Sequence, residues 1–423
     1  MPHLRKRVLL TAIHKAINWS PAVGLFGLRQ VGKSTLVKSL VEEKSGLYKT
    51  FDSAAVLNQA ERAPVEFCHT PHLLCLDESQ KAPWIFPVIK QLIDEKRKPG
   101  RFLLTGSIRF TLKKDVREAL TGRILLFELL PFTLSEAHQL PPANFLATVM
   151  ATAQAKNPAS ALKLSFEKLA SRQWRFQPTQ IAKHFLLGGM PSVCFSRDTE
   201  QRQNWQTTYF ETFLERDLPL VDSSLAKLNY RQGIALLRQL ALQQGNPLDL
   251  TQLSQHALVS LNLVKKIVTA LEALSLIDLI PAEASATNSS RKREVQWKDS
   301  GLWNYFMQIK PDHALLDSAL LNLGISQELR AQNNSLTTHT EWLVYRTRNG
   351  GLIPWIFRGG QNTVALTLSL NEVPDAYETR MLTRYVNQHK HSVGIVLAPP
   401  RTSIQQLGER LWVLPFTSIF EKS

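Results

Sequence analysis

Long apolar runs are missing from this sequence. None approaches the roughly 20 residues that a helix needs to cross a bilayer, which argues against a membrane-spanning helix. Cysteine is scarce: Cys68, Cys75 and Cys194 lie far apart and without metal-ligand spacing, as expected of buried thiols in a reducing cytoplasm. A secretory leader is not expected either. The opening "MPHLRKRVLLTAIHKAINW" sets basic residues before apolar ones, but His14 and Lys15 interrupt the run and no small-residue cleavage site follows. Acidic residues are in deficit, 35 Asp and Glu against 50 Lys and Arg, for a formal net charge of +15.

What is present reads as a globular chain, with 44% hydrophobic and 20% charged residues. Its 423 residues exceed one ordinary core and predict roughly two to four domains. The positive excess favours anionic partners, nucleic acid first, because each phosphate neutralised releases counterions. Part of it is clustered, at "LRKR" (4–7), "EKRKPGR" (95–101) and "RKR" (291–293); dispersed surface lysines would give the same total.

The stretch "GLFGLRQVGKST" (24–35) holds Gly27, Gly32, Lys33 and Ser34 at the spacing G-x-x-x-x-G-K-[ST]. Its setting fits the motif: "AVGLF" (22–26) reads as a buried strand and "KSTLVKSLVEE" (33–43) as a helix with Leu36, Leu40 and Val41 on one side. Glycines let backbone N–H groups turn onto phosphates, and the helix N-terminus adds its positive end. Lys33 is then expected on the β- and γ-phosphates of ATP, with the Ser34 hydroxyl on Mg²⁺ and Thr35 beside it.

The next strands separate hydrolysis from transfer. "HLLCLDESQKAP" (72–83) is an apolar strand ending in Asp77, a second Mg²⁺-side group, and Glu78, which can deprotonate an attacking water. "RFLLTGS" (101–107) ends in Thr105, Gly106 and Ser107, and a hydroxyl there can sense the γ-phosphate or hold the water; a plain strand-to-helix turn is the other reading. Arg123 precedes the strand "ILLFEL" (124–129) and is a transition-state arginine, in cis or in trans, or a surface residue.

Together "GLRQVGKST", "LDESQKAP", "LLTGS" and "LTGR" with "LLPFTLSE" resemble the successive motifs of a prokaryotic family of AAA-type P-loop ATPases. Its members carry a C-terminal domain of unknown function related to restriction-endonuclease-like folds. The resemblance is strongest over 20–136 and implies a parallel sheet with an additional strand. It puts Walker A at Gly27–Ser34, Walker B at Asp77 and Glu78, a sensor at Ser107 and a finger at Arg123. Arg29 fits the family's loop, where it touches phosphate or a neighbouring subunit.

Beyond the ATPase core, "LPPANFLATVMATAQAKNPAS" (140–160) reads as a loop or weakly helical insertion at a domain edge. Arg216, in "ETFLERDL", either faces nucleotide from the lid side or pairs with Glu215 or Asp217 on the surface. Residues 231–281 read as three helices and a strand, the third helix carrying Val264, Ile267, Leu271 and Leu274 on one face, hence a winged helix-turn-helix. Lys265, Lys266 and Asn262 of that helix reach DNA, although many such units bind only protein. From about 340 an α/β unit follows. Where the resemblance calls for a nuclease's Asp and Glu-x-Lys, this chain has Pro354, Thr367 and Ser369, so a metal-dependent nuclease is not expected there.

The expected organisation is an α/β multidomain chain. An AAA-type P-loop ATPase domain (1–137) leads to a mostly helical lid or linker (138–228), a winged-helix domain (229–310) and a degenerate restriction-endonuclease-like (PD-(D/E)xK) domain (311–423). The expected activity is Mg²⁺-dependent ATP hydrolysis in a cytoplasmic switch or remodeller acting on DNA or a protein partner, with a homo-oligomer as its working form. The alternative is a non-hydrolysing, ATP-gated DNA-binding regulator or scaffold.

Overall fold

The computed structural model describes residues 5–109, 120–153, 158–170, 174–283, 292–336, 340–347 and 351–422. Its first sheet has five parallel strands: β1 (Ala22–Phe26), β2 (Leu47–Thr50), β3 (Leu74–Asp77), β4 (Phe102–Gly106) and β5 (Ile124–Glu128). They lie in the order β2-β3-β4-β1-β5, so β4 is inserted between the P-loop strand and the strand ending in Asp77, as the additional-strand arrangement requires. The strands read as continuous apolar runs because both faces are covered. Val23, Leu25, Cys75 and Leu103 face one core, while Ala22, Phe26, Leu74, Leu76, Phe102 and Leu104 face a second beneath the helix Ile85–Glu95.

The first of these cores does not stop at the domain edge. It continues from Leu9 to Phe420, through the middle of the chain and into the second sheet. Of the loop and weakly helical readings of 140–160, the helical one fits the described residues from 145 onward. Phe145–Ala153 is a helix whose Phe145, Leu146, Val149 and Met150 are buried. It is tied to the C-terminal unit by hydrogen bonds from Leu146 N to Gln332 Oε1 (2.9 Å) and from Asn144 N to the Glu421 carbonyl (3.2 Å). Its apolar positions belong to that core.

The middle of the chain folds as predicted in outline: helices Tyr230–Leu242, Leu250–Ala257 and Leu261–Ala273, then the antiparallel pair β6 (Ile277–Ile280) and β7 (Glu294–Trp297). Val264, Ile267, Leu271 and Leu274 are buried together, and Asn262, Lys265 and Lys266 are on the exposed face. Of the basic stretch 291–293, Arg291 lies outside the described residues, and Arg293 pairs with Glu272 at 3.6 Å.

The second sheet follows the helix Ser318–Ser335. β8 (Glu341–Arg346), β9 (Leu352–Gly359) and β10 (Asn362–Leu368) form an antiparallel meander. The helix Ala376–Gln388 crosses over to β11 (Ser392–Ala398), parallel to β10, and β12 (Gln405–Gly408) and β13 (Leu411–Pro415) complete the order β12-β13-β11-β10-β9-β8. Among the described residues no helix is long and apolar enough to cross a membrane.

Candidate active site

The loop after β1 takes its shape from three left-handed residues, Gly27 (φ 147°), Gln30 (φ 61°) and Gly32 (φ 100°). A Cβ on Gly27 would collide with the Leu129 carbonyl, so only glycine lets the chain leave β1 here. Gly32 caps the helix Lys33–Glu43. Lys33 is buried, and its Nζ donates to the carbonyls of Gly27 (2.9 Å) and Leu28 (2.8 Å), which holds the ammonium inside the loop. Burial lowers its pKa to about 8, against the opposing pull of Glu78, Asp77 and Asp217.

That value has a measurable consequence. The charged ammonium is the phosphate-binding form, so the contribution of Lys33 to binding is complete below about pH 8 and is lost as pH rises through it. Affinity for a fluorescent ATP analogue, titrated from about pH 6.5 to about pH 9.5, is expected to be level and then to fall with a slope approaching one proton. A flat profile would remove Lys33 as the titrating group.

Asp77 ends β3, and its carboxylate accepts hydrogen bonds from Tyr48 Oη on β2 (2.5 Å) and from Thr105 Oγ1 on β4. Burial, then Asp77 itself, pushes the Tyr48 phenol upward, so it stays a donor. Glu78 follows in the left-handed region (φ 57°), an uncommon conformation for a side-chain-bearing residue and one that clusters at functional sites. Its N–H reaches Thr105 Oγ1 at 3.3 Å. Gln80 Nε2 donates both to Glu78 Oε2 and to Ser107 Oγ (3.2 Å), tying the acid to the expected sensor. The motif reading picked out Asp77, Glu78, Ser107 and the strand-end hydroxyl of Thr105 but missed Tyr48 and Gln80, whose roles depend on which strands become neighbours.

Arg29 in the loop donates to Asp217 Oδ1 at 2.8 Å. Asp217 closes a π-helical turn, Phe213–Asp217, between two α-helices, a distortion that recurs at functional sites. Burial raises its carboxyl pKa, and Arg29 pulls it back. The residue of "ETFLERDL" that meets the loop is thus Asp217; Arg216 is exposed. The extra residue of the π turn shifts which side chain faces inward, something helical spacing alone does not reveal.

Ser34 is half-buried and Thr35 exposed at the start of the helix. Beside them opens a cavity of about 320 Å³, lined by Thr35, Leu36 and Ser39 on one side and by Phe132 and Phe195 on the other. Arg7 stacks on Phe132 (4.4 Å to the ring centre) and donates to the Val31 carbonyl (3.2 Å) and Glu136 (3.2 Å), fixing the aromatic wall to the loop. The sequence marked Arg7 only as part of a charge cluster.

Arg123 is elsewhere. β5 runs parallel to β1 with Ile124 opposite Ala22 and Glu128 opposite Phe26, so Arg123 stands at the end of the sheet remote from the P-loop. Asp94 holds it there in a two-point pair of 2.6 and 2.9 Å. Within its own chain it does not meet the site, which removes the cis reading. Of the positions expected to carry a nuclease's acids, Pro354 sits on β9, Thr367 on β10 and Ser369 just beyond it, all buried.

Residues 20–138 match the family model of an AAA domain, and residues 178–313 match that of a domain of unknown function (DUF8612). The unknown-function match thus falls on the middle of the chain and leaves 314–423, where the resemblance had placed such a domain, outside it. Uncharacterized proteins of Mycobacterium bovis and Mycobacterium tuberculosis are each 27% identical to this chain over 320 residues, 74% of this chain and 62% of theirs. The chain therefore aligns with about three fifths of the length of those relatives. A Walker-type ATPase of Pyrococcus abyssi is similar in structure at 12% identity and a TM-score of 0.36, over 70% of this chain and 94% of that one. The motif set, the strand order and the family match agree on a P-loop ATPase fold over residues 20–138, where the chain is similar to AAA domains.

Proposed function

We propose that this chain hydrolyses ATP and uses its nucleotide state to control how the middle and C-terminal units engage DNA or a protein partner. The observation that carries the reading is the convergence of Lys33, Asp77, Glu78 and Ser107 at one end of the first sheet, with Gln80 linking acid to sensor. The groups nearest the phosphates, the Ser34 hydroxyl and the Asp77 carboxylate, are oxygen donors, and each Asp77 oxygen retains acceptor capacity beyond its one hydroxyl partner. This set fits Mg²⁺, which when bound neutralises phosphate charge. Lys33 and the loop amides of Gly27–Ser34 hold the phosphates, the aromatic cavity beside Thr35 takes the base, and Glu78 accepts a proton from the attacking water.

Arg29, gripped by Asp217, relates the loop to the helices beyond it. Arg123 acts, if at the γ-phosphate, on a neighbouring copy's nucleotide, which makes a homo-oligomer the working form. The three helices and hairpin of 230–297 support a winged-helix reading. In it Asn262 and Lys265 face the nucleic acid, whereas Lys266 is bound to Asp222 (3.2 Å) and Ser224 (2.8 Å). The meander, crossover helix and parallel strand of the second sheet support a nuclease-like ancestry. With Pro354, Thr367 and Ser369 in the acid positions, it serves as a docking unit. Protein-dependent nicking of plasmid in Mg²⁺ or Mn²⁺, abolished by substitutions in this unit, would overturn that.

The second reading, an ATP-gated scaffold without turnover, differs in whether Glu78, which accepts from Gln80 on Oε2 and keeps Oε1 free among the described residues, takes a proton from water at all. Phosphate release measured with and without duplex and single-stranded DNA separates the two. Turnover raised by DNA supports the coupled ATPase, and ATP binding without turnover supports the scaffold.

A further inference from the structure

A second cavity, of about 430 Å³, lies on the other side of the Arg5–Phe195 wall from the one beside the P-loop. It is formed by Arg5, residues 137–138, the helix Pro178–Leu187 and the segment 194–197, and its charged and titratable lining is Arg5, His138, Lys183, His184, Cys194 and Arg197, with no aspartate or glutamate. Arg5, Lys183 and Arg197 have no ion-pair partner among the described residues. Arg5 stacks on Phe195 at 4.9 Å, and its Nε is buried without a hydrogen-bond partner.

The acids around the cavity are already engaged: Asp299, which acts on Cys194 and His184, accepts from Gly189 N (2.7 Å) and Leu302 N (2.8 Å). Glu328 stands behind His184 (3.5 Å) and accepts from Leu134 N at 2.7 Å, and Asp198 caps the next helix through Glu200 N at 2.9 Å. His138 feels the resulting field: burial, then His184, Arg5 and Lys183, all push its pKa down. Holding three cations around one half-enclosed cavity is unfavourable until an anion enters, because walls of one sign focus the potential into the space between them.

The geometry points to a second anion site, separate from the P-loop, that takes the phosphoryl end of a phosphorylated small molecule between Arg5, Lys183 and Arg197. Guanidinium forks match phosphate oxygens, and the lysine adds a point charge. The cavity is too small for a duplex and of the right size for a diphosphate or a mononucleotide. Arg5 and Phe195 line both cavities, so an occupant that draws the Arg5 guanidinium off the ring also alters the wall of the neighbouring cavity.

The test uses the full chain carrying Lys33→Ala, which disables the P-loop, and titrates it calorimetrically with inorganic pyrophosphate and, separately, with AMP. One equivalent of either is expected to bind, and the double change Lys183→Glu/Arg197→Glu is expected to weaken it by about tenfold or more, that is about 1.4 kcal/mol or more. Pyrophosphate binding alone identifies a free phosphoryl site, and AMP binding alone one that needs the nucleoside. Melting curves guard against misfolding, and Lys183→Gln/Arg197→Gln provides a milder pair. The proposal falls if neither probe binds, or if binding is unchanged in both double variants. ATP turnover in the P-loop-intact chain is expected to survive either double change within about twofold, and this arm shows whether the ATPase reading stands independently.

Discussion

Lys33→Ala is expected to abolish ATP binding, while Glu78→Gln keeps binding and loses turnover. The two changes separate because the side chains act at different moments. Lys33 is buried in the loop on the carbonyls of Gly27 and Leu28, so alanine removes a buried cation from the phosphate cradle and leaves those carbonyls facing it. Glu78 lies across the sheet end, fixed by its left-handed backbone and by Gln80. Glutamine preserves size and hydrogen bonding there and removes only the capacity to take a proton. Loss of a general base lowers rate by about a hundredfold to ten-thousandfold, and binding should move by less than about threefold. Nucleotide titration and phosphate release on the same preparations decide the matter. Turnover surviving in Glu78→Gln would assign the proton elsewhere, and binding surviving in Lys33→Ala would detach the loop from the nucleotide.

The parts of this site that could be read from sequence are those carried by local pattern. β1, the P-loop and its helix were legible because apolar run, glycine spacing and helical periodicity all occur within about twenty residues. Asp77 and Glu78 were legible because an acid pair closing an apolar strand is a local signal. Tyr48 and Gln80 were not, since each becomes relevant only through the order β2-β3-β4. Asp217 was hidden by the π turn, which breaks the 3.6-residue period on which a helical face is judged. Arg123 was over-read: its motif context is right, but strand direction places it at the far end of the sheet. The stretch 140–160 was legible only as a loop or weakly helical insertion: its Ala, Pro and Asn obscured Phe145, Leu146, Val149 and Met150, which recur at helical spacing and are buried.

Lys298→Met is expected to be among the most destabilising single changes in the chain. The Lys298 side chain has no exposed surface and reaches two carboxylates, Glu128 at the end of β5 and Asp278 on β6, the latter at 3.0 Å. Arg330 approaches Asp278 at 3.3 Å, and Arg109 approaches both acids at 3.7 Å. Burial pushes Asp278 up, but Lys298, Arg330 and Arg109 outweigh it and hold the carboxyl below its usual range. Methionine fills the space yet leaves both acids without their close donor, and breaking a buried pair this way costs about 3 to 5 kcal/mol. The lower end applies, because two arginines remain nearby. Thermal melting should show a fall of roughly 5 to 10 °C. Adding Glu128→Gln should restore part of it, since the stranded charge is then gone, and a coupling above about 1 kcal/mol in that cycle is the diagnostic result. Strict additivity would mean that the network contributes nothing as a unit. Its position gives it more than a structural interest. Glu128 pairs in register with Phe26, the residue before Gly27, and Arg109 lies two residues past Ser107. The same five charges therefore join the nucleotide end of the first sheet to β6 and to the helix Ser318–Ser335, and any movement of the P-loop edge must either carry these elements with it or separate these charges, of which Lys298 is fully buried.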